Sequence, residues 1–136
     1  MIEKVDLDFM MVPVMIELEE LKQNRDLKIL SDSSAVVFSI DLRVIRKPLD
    51  DINVRKALAH AIDYDYHLNV ALAGYGKRAK GPLGSQLKYF NDDLKLVEFN
   101  MNKAKEYLKK AGYPNGGFNL KLVYQSAHFE LQRMLE

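Results

Sequence analysis

The chain contains no cysteine. That excludes disulfides, thiolate metal sites and cysteine nucleophiles, although it does not distinguish one side of a membrane from the other. An excess of charge is also missing, with 20 Lys+Arg against 19 Asp+Glu and a formal net charge of +1. No field of that size gathers nucleic acid or anionic lipid. Apolar runs are too short to span a bilayer. The start, Met-Ile-Glu-Lys-Val-Asp, lacks the basic stretch and apolar segment of a secretory signal. By itself it points to a cytoplasmic protein or to one whose leader has been removed. What is present is enough for one domain with a core: 136 residues, 48% hydrophobic and 29% charged.

The periodicity predicts an α/β chain. Val5 to Val12 alternates and then turns apolar, as a strand does, and Pro13 stops it. Val14, Leu18 and Leu21 then share a helix face that runs to about Asn24. Residues 26–30 are expected as a brief strand and 31–34 as a turn. In Ala35 to Leu42, the residues Val36, Phe38, Ile40 and Leu42 lie on one face of a clearer strand. Asp50 or Asp51 can cap the next helix, in which Val54, Ala57, Leu58, Ala61 and Ile62 form the apolar stripe. Asp63 serves as N-cap for a helix from Tyr64 to Ala73, closed by Gly74. Residues 74–92 form a long Gly/Pro loop, a kind more often functional than idle. Asn100 caps a third helix with Ala104, Tyr107, Leu108 and Ala111 on one face, and Gly112 and Pro114 end it. Phe118 to Tyr124 alternates as a strand. Ala127 to Glu136 opens a helix that has no closing cap, so the chain is expected to be a piece of a longer one. Strands interleaved with helices make a mixed sheet with flanking helices.

Few residues stand out as chemistry. Arg55 is expected to anchor its helix start on nearby carboxylates such as Asp50 or Asp51, and Asp63 is expected to act as a cap and not as an acid. Tyr75 and Gly76 are the leading cleft candidates, because glycine lets backbone approach a ligand and tyrosine offers a flat face with a polar tip. Lys77, Arg78 and Lys80 form a basic cluster without the aromatic interleaving of a nucleic-acid binder, and read as solvated. His60, His67 and His128 have no ligand-like spacing, so no metal is expected. Gly112 to Gly117 lacks the lysine and Ser/Thr of a phosphate loop. No cofactor site and no catalytic constellation emerges, and the chain is read as a non-enzyme.

Four motifs, in order, carry a resemblance. Pro48-Leu49-Asp50-Asp51-Ile52-Asn53-Val54-Arg55-Lys56-Ala57-Leu58 runs on into Ala59-His60-Ala61-Ile62-Asp63. Gly74-Tyr75-Gly76 leads to Ala79-Lys80-Gly81-Pro82, and Ala104-Lys105-Glu106-Tyr107-Leu108 leads to Ala111-Gly112-Tyr113-Pro114. Together they resemble the bacterial extracellular solute-binding proteins of family 5, the peptide/nickel-type substrate-binding components of ABC importers. Asp41 and Asn53 depart from that family's usual asparagine and arginine, and Asn100 from its aspartate.

The resemblance implies a type II, two-lobe periplasmic-binding-protein architecture, of which residues 1–136 are a single partial domain from one lobe. It implies capture of oligopeptides or similar small solutes outside the cytoplasm and delivery to ABC permease subunits. The remaining lobe is a further partner, the membrane is met only indirectly, and nucleic acid is not a partner. His128, at a strand-to-helix turn, joins Tyr75 and Gly76 as a ligand-side candidate on this basis. The alternative is a free-standing intracellular α/β interaction module with no transport role.

Overall fold

The computed structural model describes residues 8–9, 18–32, 35–70 and 72–123. The strand at Val5 to Val12, the first turn of the Val14 helix and the elements after Val123 lie, wholly or nearly so, outside them. Among the described residues there are four helices: α1 (Leu18–Leu21), α2 (Ile52–Ala61), α3 (Tyr64–Val70) and α4 (Met101–Lys110).

Each of the longer helices begins where its sequence supplies a side chain for unpaired backbone N–H groups. Asp51 is extended, and its carboxylate accepts from the Asn53 N–H at 2.7 Å. Asn100 is extended too, and its side-chain oxygen accepts from the Lys103 N–H at 3.0 Å. At the far end of α4, Gly112 adopts φ +84°. The Tyr113 N–H donates to Leu108 O at 2.8 Å and the Gly112 N–H to Lys109 O at 3.1 Å. That paired closure is a Schellman motif, and it needs a left-handed residue that glycine adopts without strain. Tyr113 then meets Phe118 edge to face, with ring centroids 5.0 Å apart.

Among the described residues, α2 and α4 are the only helices that pack on each other. Their small side chains set the contact: Val54 and Ala57 from α2 and Ala104 from α4 are buried, with Val54 fully enclosed. Leu58 and Ile62 are half-buried, whereas Ala61, expected on the core face, is exposed. The buried stripe centres on Val54 and Ala57, and Ala61 is the last residue of α2.

The expected mixed sheet is not formed among the described residues, which contain no β-strand. Residues 27–30, 35–42, 94–100 and 117–123 are free of helix, and the first of these begins in a turn closed by the Leu27 N–H on Asn24 O. A helix closes its hydrogen bonds within itself, but a strand exists only as a member of a ladder. The anticipated strand face Val36, Phe38 and Ile40 is 66%, 61% and 44% exposed. Burying such a face takes a second layer.

Candidate functional site

The glycine loop follows α3 and is held from both sides. Asp63 accepts from the Tyr66 N–H at 3.0 Å and so starts α3. Beyond Val70, Ala73 and Gly74 both take positive φ, 47° and 81°. The Gly74 N–H reaches back to Leu68 O at 3.0 Å and the Tyr75 N–H to Leu72 O at 2.8 Å. Gly76 lies so close to α3 that a β-carbon there would stand 2.7 Å from Leu72 Cδ1 and 2.9 Å from Leu68 Cδ2. Its lack of a side chain serves packing on those two leucines.

Tyr75 is half-buried and occupied. Its hydroxyl donates to Glu19 Oε1 at 3.0 Å, and Lys22 Nζ sits 4.9 Å from its ring centroid. Lys22 also bonds Glu19 at 2.7 Å, closing a three-residue cluster that ties the loop to α1. The hydrogen bond from Lys22, helped by that from Tyr75, holds the Glu19 carboxyl below its ordinary range. The same bond to Glu19 raises the Lys22 ammonium. What Tyr75 leaves open is a part of its ring and one lone pair on its oxygen.

The basic cluster of the loop is put to internal use. Arg78 donates to Val97 O and lies over the Tyr64 ring at 4.5 Å. Lys80 donates to Asp92 O at 2.8 Å and faces its carboxylate at 3.7 Å. Two of the three cations therefore clip residues 76–84 to residues 92–98, where a solvated cluster was expected. Gly84, also on this loop, is buried against Ala35.

Arg55 holds the start of α2 in a different manner from the expected one. Its Nη1 donates to Leu49 O at 2.7 Å and Asp50 O at 3.0 Å, both backbone carbonyls, and Asp51 is engaged with Asn53. A guanidinium satisfies peptide oxygens as readily as carboxylates, and here the preceding turn presents two of them.

His60 has a role that spacing did not reveal. Its Nδ1 lies 2.8 Å from Glu98 O, its own carbonyl accepts from the Asn100 N–H at 2.8 Å, and its ring stacks on Tyr107 at 5.7 Å and 11°. A carbonyl can only accept, so Nδ1 carries the proton. His60 thus joins the end of α2 to the start of α4. Among the described residues no three His, Asp or Glu side chains group as metal ligands, and no helix is long and apolar enough to cross a membrane. His128 lies outside the described residues, so the structure relates Tyr75 and Gly76 to each other but not to it.

The described residues thus present a packed helical pair, a clipped glycine loop and extended apolar segments. The chain belongs to the bacterial extracellular solute-binding proteins, family 5, whose middle region matches residues 1–135. By that membership it is extracytoplasmic. It is 35% identical over 116 residues to the glutathione-binding protein GsiB of Pectobacterium atrosepticum, covering 85% of this chain and 22% of that one. It is 29% identical over 132 residues to heme-binding protein A of Haemophilus influenzae, covering 95% and 24%. Its fold resembles the ABC transporter-associated periplasmic binding protein DppA of Helicobacter pylori in complex with the peptide STSA. That match has a TM-score of 0.65 and 29% identity, over 76% of this chain and 20% of that one. The chain thus spans about a fifth to a quarter of the length of these relatives.

Proposed function

We propose that residues 1–136 are a single partial domain, from one lobe of the substrate-binding component of an ABC importer. The complete protein captures oligopeptides or similar small solutes outside the cytoplasm and hands them to membrane permease subunits, without chemical conversion. One observation carries this reading: the family match runs along almost the whole chain and is joined by a fold likeness to a protein seen with a bound peptide. Ligand closes two lobes by making contacts that exist only in the closed form. In the longer polypeptide, residues 35–42 and 118–124 join a mixed sheet that covers their apolar faces. Loop 74–92 and the turn at His128 lie toward the cleft. Tyr75 offers ligand its ring and its remaining lone pair, while Glu19 fixes its orientation.

The test is titration calorimetry of di- to tetrapeptides and glutathione against the protein with both lobes and against the 136-residue chain. Micromolar binding by the former and none tighter than about millimolar by the latter is the expected pattern, since one lobe supplies only part of the contacts and no closure. Micromolar binding by the short chain would overturn the partial-lobe reading. Absence of binding by the two-lobed protein to any small solute would overturn the capture function.

A further inference from the structure

The chain is nearly neutral, yet α4 is not. Its ten residues include Lys103, Lys105, Lys109 and Lys110 against one acid, Glu106, while the whole chain carries +1. The rest of the molecule is therefore net negative, and positive charge is concentrated on one helix. Lys103 is neutralised by Glu98, whose carboxyl it holds below its usual range. The others have no carboxylate within 4 Å among the described residues.

Their placement is specific. Lys110 Nζ lies 5.2 Å from the Tyr107 ring centroid, Lys56 Nζ approaches the same ring from α2 at 5.6 Å, and His60 stacks on it. Two ammonium groups from different helices share one electron-rich ring. Cation–π attraction orients each but leaves its N–H donors free. On the adjoining side of α4, Asn102, Lys105, Glu106, Lys109 and Pro114 line a shallow open groove of about 510 Å³. The groove is open and the helix convex, whereas small-molecule sites are concave.

We propose that this face, centred on Tyr107 with Lys56 and Lys110 and extending to Lys105 and Lys109, docks a carboxylate-rich segment of a partner protein. Charge complementarity selects that occupant. Lysines at single points suit separate carboxylates, while phosphate recognition favours the bidentate fork of arginine, and Arg55 is already spent on Leu49 and Asp50. Glu106 lies among these lysines and repels a uniform polyanion, but a patterned acidic segment avoids it. Tyr107 adds the aromatic, amphipathic surface that anchors such contacts. The proposal does not depend on solute capture, since Tyr75 and its loop take no part in it.

The test is fluorescence anisotropy of a labelled hexaglutamate peptide with the full chain at low and at moderate salt. The expected result is binding that weakens with salt and falls by about tenfold or more in the double variant Lys56→Glu/Lys110→Glu. The equally charged control Lys28→Glu/Lys121→Glu should change it by about twofold or less, because neither lysine belongs to α2 or α4 and charges off the docking face are screened. Lys56→Gln/Lys110→Gln, with circular dichroism to confirm the fold, must show an intermediate loss. An equal loss in test and control variants would reduce the effect to net charge and overturn the proposal. So would absence of hexaglutamate binding, or preferential binding of phosphatidylglycerol vesicles or of single-stranded DNA.

Discussion

The extended segments around residues 35–42 and 94–100 are more apolar in sequence than α4, yet buried side chains occur in the α2–α4 pair and not in them. Val54, Ala57 and Ala104 are buried, whereas Val36, Phe38, Leu96 and Phe99 stand 40–70% exposed, at 66%, 61%, 43% and 47%. The difference lies in where each satisfies its backbone. A helix pairs its own peptide groups and needs one neighbouring stripe to complete its burial. Extended chain needs partners for its peptide groups and cover for its side chains, and both come from elsewhere in the fold. The helical pair encloses its apolar stripe, while the extended segments leave much of their apolar side-chain surface exposed.

The largest effect separating the two regions should come from matched truncations. Val54→Ala should cost about 2 kcal/mol through lost burial and an unfilled cavity. Val36→Ala should stay within about 0.5 kcal/mol in this chain, as for exposed sites. Urea unfolding of both variants checks this, and in the longer protein the Val36 change should grow toward the Val54 value. Equal small effects everywhere would remove the contrast.

Next comes the contact of the glycine loop with the first extended segment. A β-carbon at Gly84 would stand 2.9 Å from Ala35 O and 3.0 Å from Ala35 Cα, both backbone atoms that cannot swing aside. Gly84→Ala should therefore cost about 1–3 kcal/mol. At Gly112 nothing lies within 4 Å, and only its φ of +84° is at stake, so Gly112→Ala should cost about 1 kcal/mol. A reversed order in thermal melts would contradict the close approach at Ala35.

Smaller again are the caps. Asp51→Ala and Asn100→Ala should each cost about 1 kcal/mol, with Asn100→Asp nearly neutral, read from chemical denaturation.

The smallest effect is that of pH on the surface pairs. Glu19 and Glu98 titrate below the ordinary 4.5, and Lys22 and Lys103 above 10.5, chiefly through their mutual hydrogen bonds. A depressed carboxylate adds stability that is complete above 4.5 and is lost as pH falls through its folded value. A raised ammonium adds stability that is complete below 10.5 and is lost as pH rises through its folded value. Both pairs thus act between these limits. NMR titration of the carboxyl carbons should place Glu19 and Glu98 below the ordinary 4.5. A Glu19 midpoint at the ordinary value would show that its cluster on Tyr75 does not persist in solution.

Much of the helical framework was legible because its signals are local. Asp51 and Asn100 act on N–H groups two and three residues on, and Gly112 on the turn it ends, so a short window contains both partners. The clips that shape the glycine loop were not legible. Tyr75 meets Glu19 across 56 residues, Arg78 meets Val97 across 19, and His60 meets Glu98 across 38. No periodicity encodes such pairs, so the sequence reads the basic cluster as solvated and says of His60 only that it lacks ligand-like spacing. Arg55 was misdirected for a related reason: its sequence neighbours are acids, but the turn offers it their carbonyls.

Capping chemistry and ordered motifs survive without long-range context, so the starts of α2 and α4, the closure of α4 and the family are readable from the residues alone. Long-range packing settled that Tyr75 is tethered to α1, that Arg78 and Lys80 serve as clips, and that Lys56 and Lys110 converge on Tyr107. Those outcomes depend on which distant groups the fold brings within a few ångströms, and hydrogen bonds and cation–π contacts act only over that range.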